Sequence, residues 1–159
     1  MQAVAPSRKM PLTKERTDMA KVNYALIEAA AKNDIDKLDA ALELGAEVDC
    51  RYQGFTPLYL AVMKGFTKVA HRLLLRGANV EAMCNKRRTA IMIAASRGRL
   101  MCVELLLDHH ANVHRQDEGG ETAKQLALRN GHEGVAALLQ DAEYATLPRN
   151  SRLMALSLA

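Results

Sequence analysis

The chain contains no tryptophan, only two phenylalanines and four tyrosines among its 159 residues. A β-sandwich core draws on aromatic and β-branched side chains, whereas here alanine and leucine must do most of the packing. That composition suits thin, closely stacked helices and predicts an all-α fold. No stretch approaches the roughly 18 consecutive apolar residues of a membrane span, so no membrane partner is expected. The three cysteines, Cys50, Cys84 and Cys102, are an odd number, no Asn-x-Ser/Thr acceptor occurs, and no signal-like apolar run opens the chain. These absences point to a reducing, cytoplasmic or nuclear compartment. Phosphate-binding and dinucleotide loops, a Cys-x-x-Cys pair and a Gly-x-Ser-x-Gly elbow are all missing, and no serine has a histidine partner in view. The reading is therefore of a non-enzyme that needs no cofactor. A formal charge of +4 and a sequence pI near 9.1 would permit acidic partners without specifying the fold.

What the sequence does contain is a repeat. Thr56-Pro57-Leu58-Tyr59-Leu60-Ala61, Thr89-Ala90-Ile91-Met92-Ile93-Ala94 and Thr122-Ala123-Lys124-Gln125-Leu126-Ala127 follow one another at intervals of 33 residues. Gly65, Gly98 and Gly131 keep that interval, as do Val69, Cys102 and Val135; the runs Leu73-Leu74, Leu105-Leu106 with Leu107, and Leu138-Leu139 follow in step, with Leu73, Leu106 and Leu139 at the same interval. Gly77-Ala78-Asn79-Val80 and His110-Ala111-Asn112-Val113 close two of the units, and Gly45-Ala46-Glu47-Val48 closes an earlier one that lacks the Thr-Pro start. Thr56 can cap a helix and Pro57 suits its first turn, so a helix is expected through about Met63, broken by Gly65. A second should run from about Thr67 to Arg76, with Val69, Ala70, Leu73 and Leu74 on one stripe and Gly77 as a left-handed cap. Two short helices cannot bury that stripe alone, so the units must stack into one elongated core.

Taken together these marks resemble the ankyrin repeat, over roughly residues 23–142. The resemblance implies an all-α solenoid of helix-turn-helix repeats, at about 23–49, 50–82, 83–115 and 116–142, with protruding hairpin-like finger loops between them. It also implies a protein-binding module of adaptor or inhibitor type, expected to be monomeric. Outside it, residues 1–22 hold five Lys or Arg against two acids and read as a basic, disordered arm; Glu15 and Asp18 argue against a transit peptide. Residues 143–159, with Leu147, Leu153, Met154, Leu156 and Leu158, read as a tail that either caps the stack or is floppy.

Several apparent motifs dissolve in the repeat frame. His109, His110 and His114 beside Asp108 have metal-ligand chemistry, but His110 falls in the slot of Gly77, where a left-handed backbone is needed and His is tolerated. His132-Glu133 lacks the second histidine of a zinc helix, and Gly131-His132-Glu133-Gly134 is the turn between two helices rather than a nucleotide clamp. No metal site is therefore expected. Cys102 shares an inward slot with Val69 and Val135, whereas Cys50 and Cys84 lie in fingers and are expected to be partly exposed.

The basic residues carry more information. Lys86, Arg87, Arg88, Arg97 and Arg99 fall between Asn85 and Met101 with no acid among them. The ankyrin resemblance implies that the fingertips and the residues just before the inter-helix glycine line a concave face, and carrying this over position by position gives a candidate surface. It comprises Tyr52, Gln53, Phe55, Met63 and Lys64, then Asn85, Lys86, Arg88, Ser96 and Arg97, and finally Glu118, Glu121 and Arg129. Phe55 is read as an anchor, because a large aromatic in a polar finger has no obvious core to fill; the competing reading folds it back on a neighbour. The expected partner is another protein presenting an acidic segment. Alternatives are a nucleic-acid-binding regulator using the same strip, whose affinity would fall steeply with salt, and an accessory segment of a larger protein.

Overall fold

A computed structural model describes residues 12–148 and 151–152, with side chains from residue 16. Eight helices follow in order: α1 (Leu12–Lys32), α2 (Ile35–Glu43), α3 (Pro57–Lys64), α4 (Thr67–Leu75), α5 (Ala90–Ser96), α6 (Leu100–Asp108), α7 (Ala123–Arg129) and α8 (Glu133–Thr146). They form four antiparallel pairs. The odd-numbered helices stack on one another as one layer and the even-numbered helices as a second, and a continuous hydrophobic core runs between the layers. Among the described residues there is no strand, so the architecture is an all-helical solenoid.

Local chemistry explains each pair. Thr56 sits before α3 in extended backbone, its Oγ1 accepts the Tyr59 N–H at 3.2 Å, and Pro57 occupies the first turn. At the other end Gly65 is left-handed, with φ 83°, and the next amide, Phe66 N–H, donates back to Ala61 O at 2.9 Å. Arg99 N–H to Ala94 O and His132 N–H to Ala127 O repeat the turn at 2.8 and 2.9 Å. In the first pair Asn33 takes the glycine slot with φ 61°, and Asp34 then caps α2 by accepting from Lys37 N–H. The second helices end on a left-handed residue as well: Gly45, Gly77 and, as the repeat frame predicts, His110 with φ 61°.

The capping threonines are not equivalent. Thr122 forms a reciprocal box with Gln125, each side chain bonding the other's backbone. Thr89 has Met92 at that third position, and its Oγ1, fully buried, has no hydrogen-bond partner. Small residues hold the layers close. Ala29, Ala61, Ala94 and Ala127 occupy one repeated position and are all buried, because a larger side chain there would push adjacent helices apart. The far face of α7, which no described helix covers, carries Lys124 and Gln125 where the preceding repeat has Ile91 and Met92; Lys124 pairs with Glu143 on α8.

A polar ladder ties the finger bases together. Asn23 Oδ1 accepts from Glu47 N–H, the Asp49 carboxylate from Asn79 N–H and Glu81 Oε1 from Asn112 N–H, at 2.9, 3.0 and 2.7 Å. At its end His114 Nε2 instead meets Thr146 Oγ1 at 2.8 Å.

The N-terminal segment departs from expectation. Helix α1 covers Leu12–Lys32, so half of the segment read as a disordered arm is helical; Lys14, Glu15, Arg16, Met19, Ala20 and Lys21 are good helix formers, and Lys21 pairs with Asp18 one turn away. The rest of that arm lies outside the described residues. Helix α8 continues past residue 142 to Thr146, and Tyr144 Oη donates to Arg152 O at 3.0 Å, folding the start of the tail back on the helix. Leu153, Met154, Leu156 and Leu158 lie outside the described residues.

Candidate functional site

The finger loops are short turns braced by their neighbours. In the first, Tyr52 and Phe55 exchange backbone hydrogen bonds at 3.0 Å across Gln53 and Gly54, both left-handed at φ 52° and 84°. In the second, Lys86 and Arg87 are left-handed at φ 59° and 55°. Neither is a residue that favours this region, so the turn carries strain of about 1 kcal/mol or more at each. The third uses Gly119 and Gly120. Adjacent tips are joined: Asn85 Nδ2 donates to Gln53 O at 3.3 Å, and Glu118 N–H donates to Lys86 O at 3.0 Å.

The charges of the strip divide into two groups. Arg88 is largely covered, and its Nε donates to Asp117 Oδ2 at 3.0 Å. Asp117 Oδ1 also accepts from Gly119 and Glu121 N–H at 2.9 and 3.1 Å. Burial alone would raise the Asp117 carboxyl, but the Glu121 amide, the Arg88 guanidinium and the Gly119 amide together hold it below its ordinary value. Arg129 is likewise paired with Glu121. By contrast Lys64, Lys86, Arg87 and Arg97 are exposed and make no ion pair among the described residues. Burial first, then the neighbouring Cys84, raise the Tyr59 phenol, while Arg88 and Arg97 act in the opposite sense.

Apolar groups are redistributed too. Phe55 is half-buried and stacks on Tyr59, with ring centroids 5.3 Å apart and planes at 28°. Tyr52 instead meets Tyr24 of α1 edge to face, at 5.5 Å and 74°. These two rings remain 45% and 51% exposed.

A family model described as "Ankyrin repeats (3 copies)" matches residues 71–147, and one described as "Ankyrin repeats (many copies)" matches residues 26–74. The chain belongs to the ankyrin repeat family. It is 35% identical over 130 residues to the rice (Oryza sativa subsp. japonica) protein named "Probable E3 ubiquitin-protein ligase XBOS31", covering 79% of this chain and 29% of that protein. Against the Ankyrin repeat and KH domain-containing protein mask-1 of Caenorhabditis elegans it is 34% identical over 133 residues, 79% of this chain and 5% of the relative. Against the Ankyrin repeat, SAM and basic leucine zipper domain-containing protein 1 of Microcebus murinus it is 31% identical over 144 residues, 87% of this chain and 29% of the relative. The chain thus spans less than a third of the length of these relatives. Ankyrin repeats are in general protein-interaction modules rather than catalytic ones. No helix among the described residues is long and apolar enough to cross a membrane.

Within the ankyrin frame several expected surface residues have structural partners. Arg88 joins the third and fourth repeats through Asp117, Glu121 and Arg129 neutralise one another, and Ser96 Oγ accepts from Asn130 Nδ2 at 3.3 Å. Arg99 leaves the strip and lies over Gly65. Met63 packs against the core. Phe55 takes the competing position, folded onto its own repeat. Tyr52, Gln53, Lys64, Asn85, Lys86, Arg97 and Glu118 remain exposed. Cys50 and Cys84, expected to be partly exposed, are buried, because each lies at a finger base covered by an adjoining segment: the Cys50 thiol donates to Asn23 O, and Cys84 Sγ approaches Thr56 Oγ1. Burial first, then Glu47 and Asp49, push the Cys50 thiol up to about 11, leaving it protonated and unreactive. The histidines diverge: His110 turns the chain, His109 faces His71, and His114 meets Thr146. Tyr24 was missed in the sequence; the available signal was an aromatic in the slot that Thr56, Thr89 and Thr122 fill in later repeats.

Proposed function

We propose that this ankyrin array is an adaptor or inhibitor-like module that captures another protein across its finger side, and that an acidic segment of that protein lies on the second and third repeats. The observation that carries the reading is the selective neutralisation of the strip. Arg88 and Arg129 have internal carboxylate partners, whereas Lys64, Lys86, Arg87 and Arg97 have none among the described residues and stay open to an outside group. The strained Lys86-Arg87 turn supports it, since left-handed non-glycine residues persist where surrounding structure and function require them.

The test is a titration of a labelled Glu/Asp-rich peptide against wild type and a variant with alanine at Lys64, Lys86, Arg87 and Arg97. Exposed ion pairs are worth about 0.5 kcal/mol each, so four together predict a loss of affinity of about thirtyfold. Undiminished binding by the variant would refute the assignment, and preference for a DNA or RNA duplex over the peptide would replace it with the nucleic-acid reading.

A further inference from the structure

One aromatic pair on this side belongs to neither the core nor the charged strip. Tyr24 stands where the later repeats have their capping threonine, but α1 runs straight through the position, so no cap is formed and the ring projects beside the first finger. It meets Tyr52 edge to face, and each of the two residues is about half exposed. The other aromatics of this side, Phe55 and Tyr59, are stacked on each other and partly or wholly buried.

Tyr24 and Tyr52 line an open groove of about 440 Å³ together with Ala20, Ile27, Glu47 and Cys50. Several of its polar groups are engaged: Asn23 Oδ1 accepts from Glu47 N–H, Asn23 O receives the Cys50 thiol, and Arg51 Nη1 donates to Met83 O at 2.8 Å; the exposed Glu47 contributes a carboxylate to the lining. Apart from the Glu47 carboxylate, which disfavours an acid there, what the groove offers a newcomer is ring faces and aliphatic surface, enough for one large apolar side chain. It is continuous with the cationic strip, because the Gln53 carbonyl next to Tyr52 is bonded to Asn85, which immediately precedes Lys86 and Arg87.

We infer that the Tyr24–Tyr52 groove is the anchor subsite of the interface and takes one phenylalanine or leucine side chain from the same partner segment whose carboxylates lie on Lys86 and Arg87. The inference rests on the concave-face reading above and adds a register to it. Neighbouring repeats are separated by a helix-packing distance of about 10 Å, which an extended peptide covers in about three residues. The apolar residue therefore stands about three positions from the first of the acids, on the side facing the array's N-terminal repeat. Rigid aromatics that are half open and set beside charge are the usual anchors of protein interfaces.

The experiment compares three synthetic peptides by calorimetric titration with the full chain: an acidic run with phenylalanine three residues away, the same peptide with alanine there, and one with the phenylalanine moved well beyond one repeat's reach. Wild type should bind the first about tenfold more tightly than the other two. A Tyr24→Ser, Tyr52→Ser double variant should bind all three alike, at the affinity wild type shows for the alanine peptide, while Tyr24→Phe, Tyr52→Phe keeps the discrimination. Wild type binding all three peptides equally would overturn the anchor and leave the acidic interface standing. Binding of none would overturn the concave-face reading, and the anchor with it.

Discussion

Valine substituted one at a time for Thr56, Thr89 and Thr122 should give effects of opposite sign at positions that the repeat makes equivalent. Thr56 is buried, and its hydroxyl accepts the Tyr59 amide. Valine keeps the shape but orphans that N–H away from water, which costs about 1–2 kcal/mol. Thr122 is less buried; its bond from Gln125 N–H is longer, at 3.4 Å, and the Gln125 side chain still holds the other half of the box. A loss of about 0.5–1 kcal/mol follows there. Thr89 is buried with an unpartnered hydroxyl, so the wild type already carries the desolvation cost of about 1–3 kcal/mol for such a group. Valine removes it and should stabilise by about 1 kcal/mol. In a domain of this size each kcal/mol moves Tm by about 2–6 °C. Urea and thermal unfolding followed by circular dichroism would resolve a spread of about 2–3 kcal/mol between Thr56→Val and Thr89→Val. Equal destabilisation by all three would refute the argument, since it would mean that the Thr89 hydroxyl caps α5 as the others cap theirs.

Other substitutions probe backbone strain. His110→Gly should stabilise by about 0.4–1 kcal/mol, because φ 61° is free for glycine alone; an unchanged urea midpoint would contradict it. Gly131→Ala should cost about 1 kcal/mol from φ 77° only, whereas at Gly98 a new Cβ would stand 2.6 Å from His132 Nδ1 and the cost should rise to about 2–3 kcal/mol; equal midpoints for the two would refute the packing contribution. Lys86→Asn with Arg87→Gly, a pair suited to consecutive left-handed positions, should raise stability by about 1–2 kcal/mol and weaken the acidic peptide. A variant with higher Tm and undiminished binding would detach the strained turn from recognition.

The parts of this molecule that a reader of the sequence can obtain are those written within one repeat. Thr56, Pro57 and Gly65 bound α3 through contacts a few residues apart, and the left-handed backbone of His110 follows from its alignment with Gly77. What escapes is whatever depends on how one repeat leans on the next. Arg88 and Asp117 are 29 residues apart, and nothing in either finger alone says that they meet. Burial of Cys50 by Asn23 and the pairing of Tyr52 with Tyr24 likewise arise only once α1 and the first finger are stacked. The start of α1 escapes for a different reason: its first turns are helical by propensity rather than by an apolar stripe, and a search for stripes passes over them.

The ladder at the finger bases changes how damage should spread through the array. After the first rung, which lies within the first repeat, each holds a loop by a side chain belonging to the unit before it, as Asp49 holds Asn79 and Glu81 holds Asn112. The aim of the second and third fingertips is therefore set upstream of them. A lesion at Asp49 would show its loss of grip at Lys86 and Arg87, so a scan of harmful positions along this chain should run one unit ahead of the contacts it disables.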